Sequence, residues 1–174
     1  MSRMQLVELG PLTQEDWDTL VAGEHDPFGP IGAGLRWRDK ELNLALRDER
    51  GQLIAAAGAV LAEVRIAGGR PLRVVGLGGV IVTSTARGRG LMAQLMDPLL
   101  RRAEELGPAL GMLFCREGLV PLYERFDFAV VDAPVWADQA QGRIEMPLVA
   151  MWGALHPGAH WPAGGPVEVL GLPF

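Results

Sequence analysis

The sequence predicts an α/β (α+β) fold, a single domain in which a mixed sheet is flanked by helices. Three observations predict it. Two long apolar runs, Leu53 to Ile66 and Leu72 to Val82, flank the turn Ala67-Gly68-Gly69-Arg70 and read as a strand hairpin. An amphipathic helix comes next, since Leu91, Met92, Leu95, Met96, Leu99, Leu100, Ala103 and Leu106 recur at helical spacing with Arg101, Arg102, Glu104 and Glu105 on the other face. Strand and helix candidates then alternate along the chain. At 174 residues, 49% hydrophobic and 21% charged, the composition is that of one ordinary globular domain, 1–174.

Taken in order, Arg3 to Glu8 alternates as a first strand and Gly10-Pro11 closes it. Thr13 is a helix N-cap with Asp16 three residues on, and Trp17, Leu20 and Val21 share one face of that helix. The Gly/Pro-rich segment His25 to Gly34 allows only a short, irregular helix. Glu41 to Arg47 forms a strand before the turn Asp48-Glu49-Arg50-Gly51, and the hairpin comes after it. In the long helix Pro98 removes one backbone bond at about 3 kcal/mol, which predicts a kink, not two helices; Gly107-Pro108 ends it. Ala109 to Cys115 is a buried strand, and Pro121 suits the first turn of a helix from Gly118 to Arg125. Phe128 to Val131 and Ile144 to Val149 are two further strands. The tail, 152–174, holds four prolines and one short strand candidate, Val167 to Leu170, and is expected to drape over the body.

A formal charge of −5 argues against nucleic acid as partner and suits a cationic one. No run approaches the roughly 18–20 apolar residues of a membrane span, and no signal-peptide core is visible, so a cytoplasmic address is expected. The single cysteine, Cys115, offers neither a disulfide nor a metal cluster and reads as a buried strand residue.

The chemistry concentrates where Val74 to Val82 feeds the polar turn Thr83-Ser84-Thr85-Ala86 and then Arg87-Gly88-Arg89-Gly90 at a helix start. The first amides of a helix lack intrahelical partners, and with the macrodipole they suit a phosphate. Glycine lets oxygens approach the backbone, and two arginines add fork-shaped donors. No Gly-Lys-Ser/Thr comes after the turn, which excludes a Walker-type loop, and the three spaced glycines of a dinucleotide fold are absent.

The stretch Val80-Ile81-Val82 through Arg87-Gly88-Arg89-Gly90-Leu91-Met92 resembles the cofactor motif of the GNAT N-acetyltransferase superfamily, Arg/Gln-x-x-Gly-x-Gly/Ala after a Val-x-Val strand. Leu122-Tyr123-Glu124-Arg125-Phe126-Asp127-Phe128 is similar to the family's Leu-Tyr-x-x-x-Gly-Phe segment, with Asp127 for the glycine. Met92 and Arg116 depart from the family's small residue and asparagine. The matching region is 53–131.

That resemblance implies an acetyl-CoA-dependent N-acetyltransferase whose mixed sheet is mainly antiparallel and twisted. The cofactor would lie in a V between the strands near Val82 and Cys115, its pantetheine arm paired to the backbone of Val80 to Val82, with a nearby amide as oxyanion donor. Tyr123, the sole tyrosine, would protonate the leaving thiolate. The general base is left open: the strand before the turn carries no carboxylate, Glu63 is a candidate, and His25, His156 and His160 sit in loop-like segments. The tail also resembles, more loosely, that of aminoglycoside 2′-N-acetyltransferases, which implies that the Phe174 carboxylate lies in the acceptor pocket. A small-molecule amine, cationic in keeping with the acidic chain, is the expected acceptor, with Glu24, Asp26, Asp132 and Asp138 as candidate borders. Alternatives are a protein or peptide N-acetyltransferase and a catalytically silent acyl-CoA-binding module. No metal is expected, and a homodimer is left open.

Overall fold

The hairpin expected from the two apolar runs forms the centre of the sheet. A computed structural model describes residues 3–162 and 164–174. In chain order the elements are β1 (Gln5–Leu9), α1 (Gln14–Val21), α2 (Gly29–Ala33), β2 (Leu42–Arg47), β3 (Leu53–Ile66), β4 (Leu72–Val82), α3 (Leu91–Glu104), β5 (Leu110–Cys115), α4 (Val120–Glu124), β6 (Ala129–Val130), β7 (Val135–Gln139), β8 (Gly142–Glu145), β9 (Val149–Ala154) and β10 (Val167–Val169). The sheet runs β6-β9-β5-β4-β3-β10-β7-β8, with β2 also on β3 and β1 on β2. Among the described strand pairs only β4–β5 and β10–β7 are parallel.

Strand β3 organises this layout because its 14 residues serve two neighbours on one edge. Its first half pairs with β2 and its last three residues with β10. The inward residues Ala55, Ala57 and Ala59 are small, so α3 packs closely there through Leu91, Leu95, Met96 and Leu99. Burying those four side chains contributes roughly 6–12 kcal/mol, which outweighs the cost of about 3 kcal/mol at Pro98. Helix α3 accordingly runs through Pro98 as one element. On the opposite face α1 covers Ala45, Ala56 and Ile81 through Leu20, and the tail covers Val74, Met112 and Phe114. Helix α1 starts on a complete capping box: Thr13 Oγ1 accepts from the Asp16 amide (3.1 Å) and Asp16 Oδ2 accepts from the Thr13 amide (2.9 Å).

Three expectations need correction. The strand read at Ile144 to Val149 is two strands, β8 ending at Glu145 and β9 beginning at Val149. Strand β7 was not anticipated, and β9 continues to Ala154, inside the segment expected to be tail. The helix read from Gly118 to Arg125 is a 3-10 turn, Glu117–Leu119, then the short α4. Among the described residues no helix is long and apolar enough to cross a membrane.

Candidate active site

Two backbone features open a cleft between β4 and β5. The β3–β4 register slips between Ala56, opposite Ile81, and Gly58, opposite Gly78, so β4 carries one extra residue there. Gly79 takes φ +59° in that bulge, a left-handed value that glycine adopts without strain. Parallel pairing to β5 stops at Leu77–Leu113. Beyond it the strands diverge, and Gly78 to Val82 has no register partner on β5.

At the end of β4 the chain passes a 3-10 turn, Ser84–Ala86, and reaches Gly90, the N-cap of α3. No side chain caps this helix, unlike α1, so its first amides point outward unpaired. Gly88 (φ +75°) and Gly90 (φ +70°) are left-handed, and a Cβ on either would meet nothing within 4 Å. The turn is therefore an open cradle of amides, and its donor chemistry fits a pyrophosphate. Arg89 is exposed beside it. Arg87 is committed in part: its Nε donates to Val82 O (3.1 Å), and its guanidinium pairs with Glu24 at 2.6 Å. Thr83 Oγ1, just before the turn, is buried with no hydrogen-bond partner.

The cleft leads into a cavity of about 440 Å3 between β4, β5, α4 and the α1–β2 segment. Trp17, Phe28, Trp37, Phe114 and Phe174 supply its aromatic surface. Trp17 meets Phe28 edge-on at 6.1 Å, and Phe114 bridges Trp37 (6.2 Å) and Phe174 (5.4 Å). Tyr123, 5% exposed, lines the cavity, and among the described residues its hydroxyl has no hydrogen-bond partner. Burial, with the neighbouring Cys115, pushes its pKa above the ordinary tyrosine value, while Arg116 opposes the rise. The αL residue just past α4 is Asp127 at φ +63°, as the glycine replacement requires. Cys115 is buried against Met151 (Sγ–Sδ 3.7 Å), and desolvation pushes its thiol up to about 11. At neutral pH it is a thiol, which disfavours a nucleophilic role.

The tail does more than drape. Strand β10 enters the sheet, and Arg38 fixes the chain beyond it: the Arg38 amide donates to Pro173 O (2.7 Å), and the guanidinium donates to Leu170 O (3.1 Å), Leu172 O (3.0 Å) and Leu61 O (3.3 Å). Phe174 ends up 1% exposed, its ring over Gly76 and its backbone carbonyl carbon over Gly78, where a Cβ would lie 2.8 Å away. Both positions are bare because the phenylalanine occupies their side-chain space.

The structure thus gathers Val80, Cys115, Tyr123 and Phe174 on one cavity, with the Arg87–Met92 segment just beyond the C-terminal end of the same strand. Other candidates lie elsewhere. Glu63 is exposed on β3, His25 and His160 are exposed, and His156 contacts Glu104 O (3.3 Å) beyond α3. Glu24 is held by Arg87, Asp138 by Arg143 (3.2 Å), and neither they nor Asp26 and Asp132 line the cavity. Sequence reasoning passed over Lys40, which lines the cavity at 8% exposure. A signal was available, since Lys40 is the only lysine among 16 lysines and arginines.

A family model described as an acetyltransferase (GNAT) domain matches residues 35–131, more than half of the chain. Two Streptomyces griseus proteins, described as uncharacterized N-acetyltransferases, are each 32% identical over 80 residues, 46% of this chain and 19% of theirs. The chain thus aligns with about a fifth of the length of these relatives. Among solved structures, a GNAT family N-acetyltransferase from Escherichia coli in complex with CoA superposes with a TM-score of 0.66 at 22% identity, covering 99% of this chain and 96% of that one. An acyl-CoA N-acyltransferase from Pseudomonas aeruginosa gives 0.56 at 21% identity, covering 87% and 100%. These two likenesses establish a shared fold.

Proposed function

The chain belongs to the GNAT acetyltransferase family, and from that premise we propose that it moves an acetyl group from acetyl-CoA to the primary amine of a small molecule by direct attack. The observation that carries this reading is the uncapped start of α3 behind the left-handed Gly88 and Gly90, joined by one strand to the β4–β5 cleft and its cavity. When bound, the thioester supplies the activated acyl group.

The chain's own groups then divide the work. Amides from Gly88 to Met92, with Arg87 and Arg89, take the pyrophosphate. Val80, Ile81 and Val82 offer backbone groups free on the β5 side to the pantetheine arm, and an amide of this stretch polarises the acyl carbonyl. Tyr123 stays protonated in its buried position and donates a hydrogen bond to the departing sulfur. The cavity's rings favour an amine with an apolar body, since aromatic faces also attract its ammonium. The ring of Phe174 adds to the apolar lining that receives the amine's body. A peptide acceptor would need an open groove, whereas Phe28 and Trp17 stand over this cavity.

Calorimetry with coenzyme A, then thiol release across a panel of amines, tests the reading. Absence of binding heat at millimolar coenzyme A would sink it. Binding without thiol release from any amine would leave an acyl-CoA-binding module.

A further inference from the structure

Resting on the proposed transfer at this site, we propose that Lys40 is the proton acceptor that neutralises the incoming substrate ammonium. The step is R–NH3+ plus Lys40–NH2 giving R–NH2 plus Lys40–NH3+; the freed lone pair attacks the acyl carbon as the carbon–sulfur bond breaks. The thiolate then takes up the second amine proton, and Lys40 returns its own to solvent.

The fold builds a place for this side chain. Its stem lies in a trough left by glycines on two strands: a Cβ at Gly58 would meet Lys40 Cγ at 2.5 Å, and one at Gly78 would meet Cε at 3.0 Å. Asn43, itself buried, donates from Nδ2 to Lys40 O (3.4 Å) and Gly10 O (2.9 Å), which steadies the backbone beneath it. Nζ donates to Arg38 O (2.8 Å), and among the described residues no carboxylate reaches ion-pair distance. An unpaired buried ammonium is costly, so burial shifts this side chain towards its neutral form and leaves a share of free amine at neutral pH. The charged and titratable side chains around the cavity are Arg38 and Asp39 from its own segment and Cys115, Arg116 and Tyr123 opposite. Desolvation lowers the Lys40 pKa from 10.5 to about 8, with Asp39 opposing and Arg38 assisting. Every other basic side chain except the three histidines is arginine, which keeps its proton.

The test uses the whole chain. Because Lys40 is the only ε-amine, pH-dependent acylation by a small activated ester, read at the Lys40 peptide by mass spectrometry without acetyl-CoA, gives its titration directly. A midpoint near 8 is expected; one near 10.5 overturns the proposal. Lys40→Met and Lys40→Arg should each lower kcat/KM at pH 7 by about 10²–10⁴-fold. Lys40→Met should approach the native rate at about pH 11, above the pKa of roughly 10.4 of an alkyl amine, where the substrate is mostly neutral. A native rate at neutral pH, or an equal loss at neutral and alkaline pH, overturns it. Calorimetry separates the two levels: both variants should hold coenzyme A like the native chain, and a native chain that binds none overturns the site reading itself.

Discussion

At the scale of single residues, Lys40 couples the site to stability. Its folded pKa of about 8 lies below the 10.5 of the free side chain, so between these values the unfolded chain binds more protons. Stability therefore rises with pH across that window, and below pH 8 the full penalty of on the order of 3 kcal/mol applies. Urea denaturation should show native stability climbing between pH 8 and 10.5, a rise missing from Lys40→Met, whose midpoint at neutral pH should exceed that of the native chain. Tyr123 makes the contrasting case. Its pKa is pushed up, so no loss of rate from its ionisation is expected as pH nears the ordinary tyrosine value of 10. Tyr123→Phe should lower kcat by about 10²-fold while donor KM holds, because the hydroxyl meets the sulfur only as the bond breaks.

At the scale of elements, the ion pair between Arg87 and Glu24 ties the α1–α2 connection to the turn before α3. Both side chains are substantially exposed, so the pair contributes at most about 1 kcal/mol to stability. Its larger effect is on binding, because a guanidinium facing Glu24 is partly withheld from a phosphate. Glu24→Gln should tighten coenzyme A several-fold and Arg87→Ala should weaken it about tenfold, each with an unchanged melting temperature; calorimetry at low and high salt checks both. The turn itself was legible in the sequence, since strand, glycines and amphipathic helix are contiguous, and so were β3, β4, α3 and β5, whose apolar patterns are long. The β7–β8 hairpin was not. Its residues Trp136, Asp138 and Arg143 face solvent or pair with each other, so the two short strands carry little apolar alternation. Strand β9 escaped because Trp152 and Gly153 read as the start of a Gly/Pro-rich tail, although Gly153 is bare to admit Phe128.

At the scale of the whole molecule, the acceptor side of the site is assembled from segments far apart in sequence, and this limited what the sequence could reveal. Lys40 carries no local sign of burial; its trough comes from Gly58 and Gly78, and its lining from β5, α4 and Phe174. The tail is the closing piece. In the strand order β10 joins β7–β8 to β3, and its Val167 and Val169 are completely buried. Removing residues 164–174 would strip those two side chains and Phe174, a loss of roughly 5–9 kcal/mol against the roughly 5–15 kcal/mol that holds a typical domain together. That variant should be unfolded or loosely packed by near-UV circular dichroism. Phe174→Ala, losing about 3–5 kcal/mol, should remain folded but melt earlier, with a cavity opened over Gly76. Because Phe174 covers Gly76 and Gly78 in the middle of β4, whereas the turn at Arg87 lies beyond the strand's last residue, Val82, Phe174→Ala should still bind coenzyme A while acceptor KM rises. Equal loss of both affinities would mean that the two halves of the site are not separable, and that the tail supports the β4–β5 cleft as a whole.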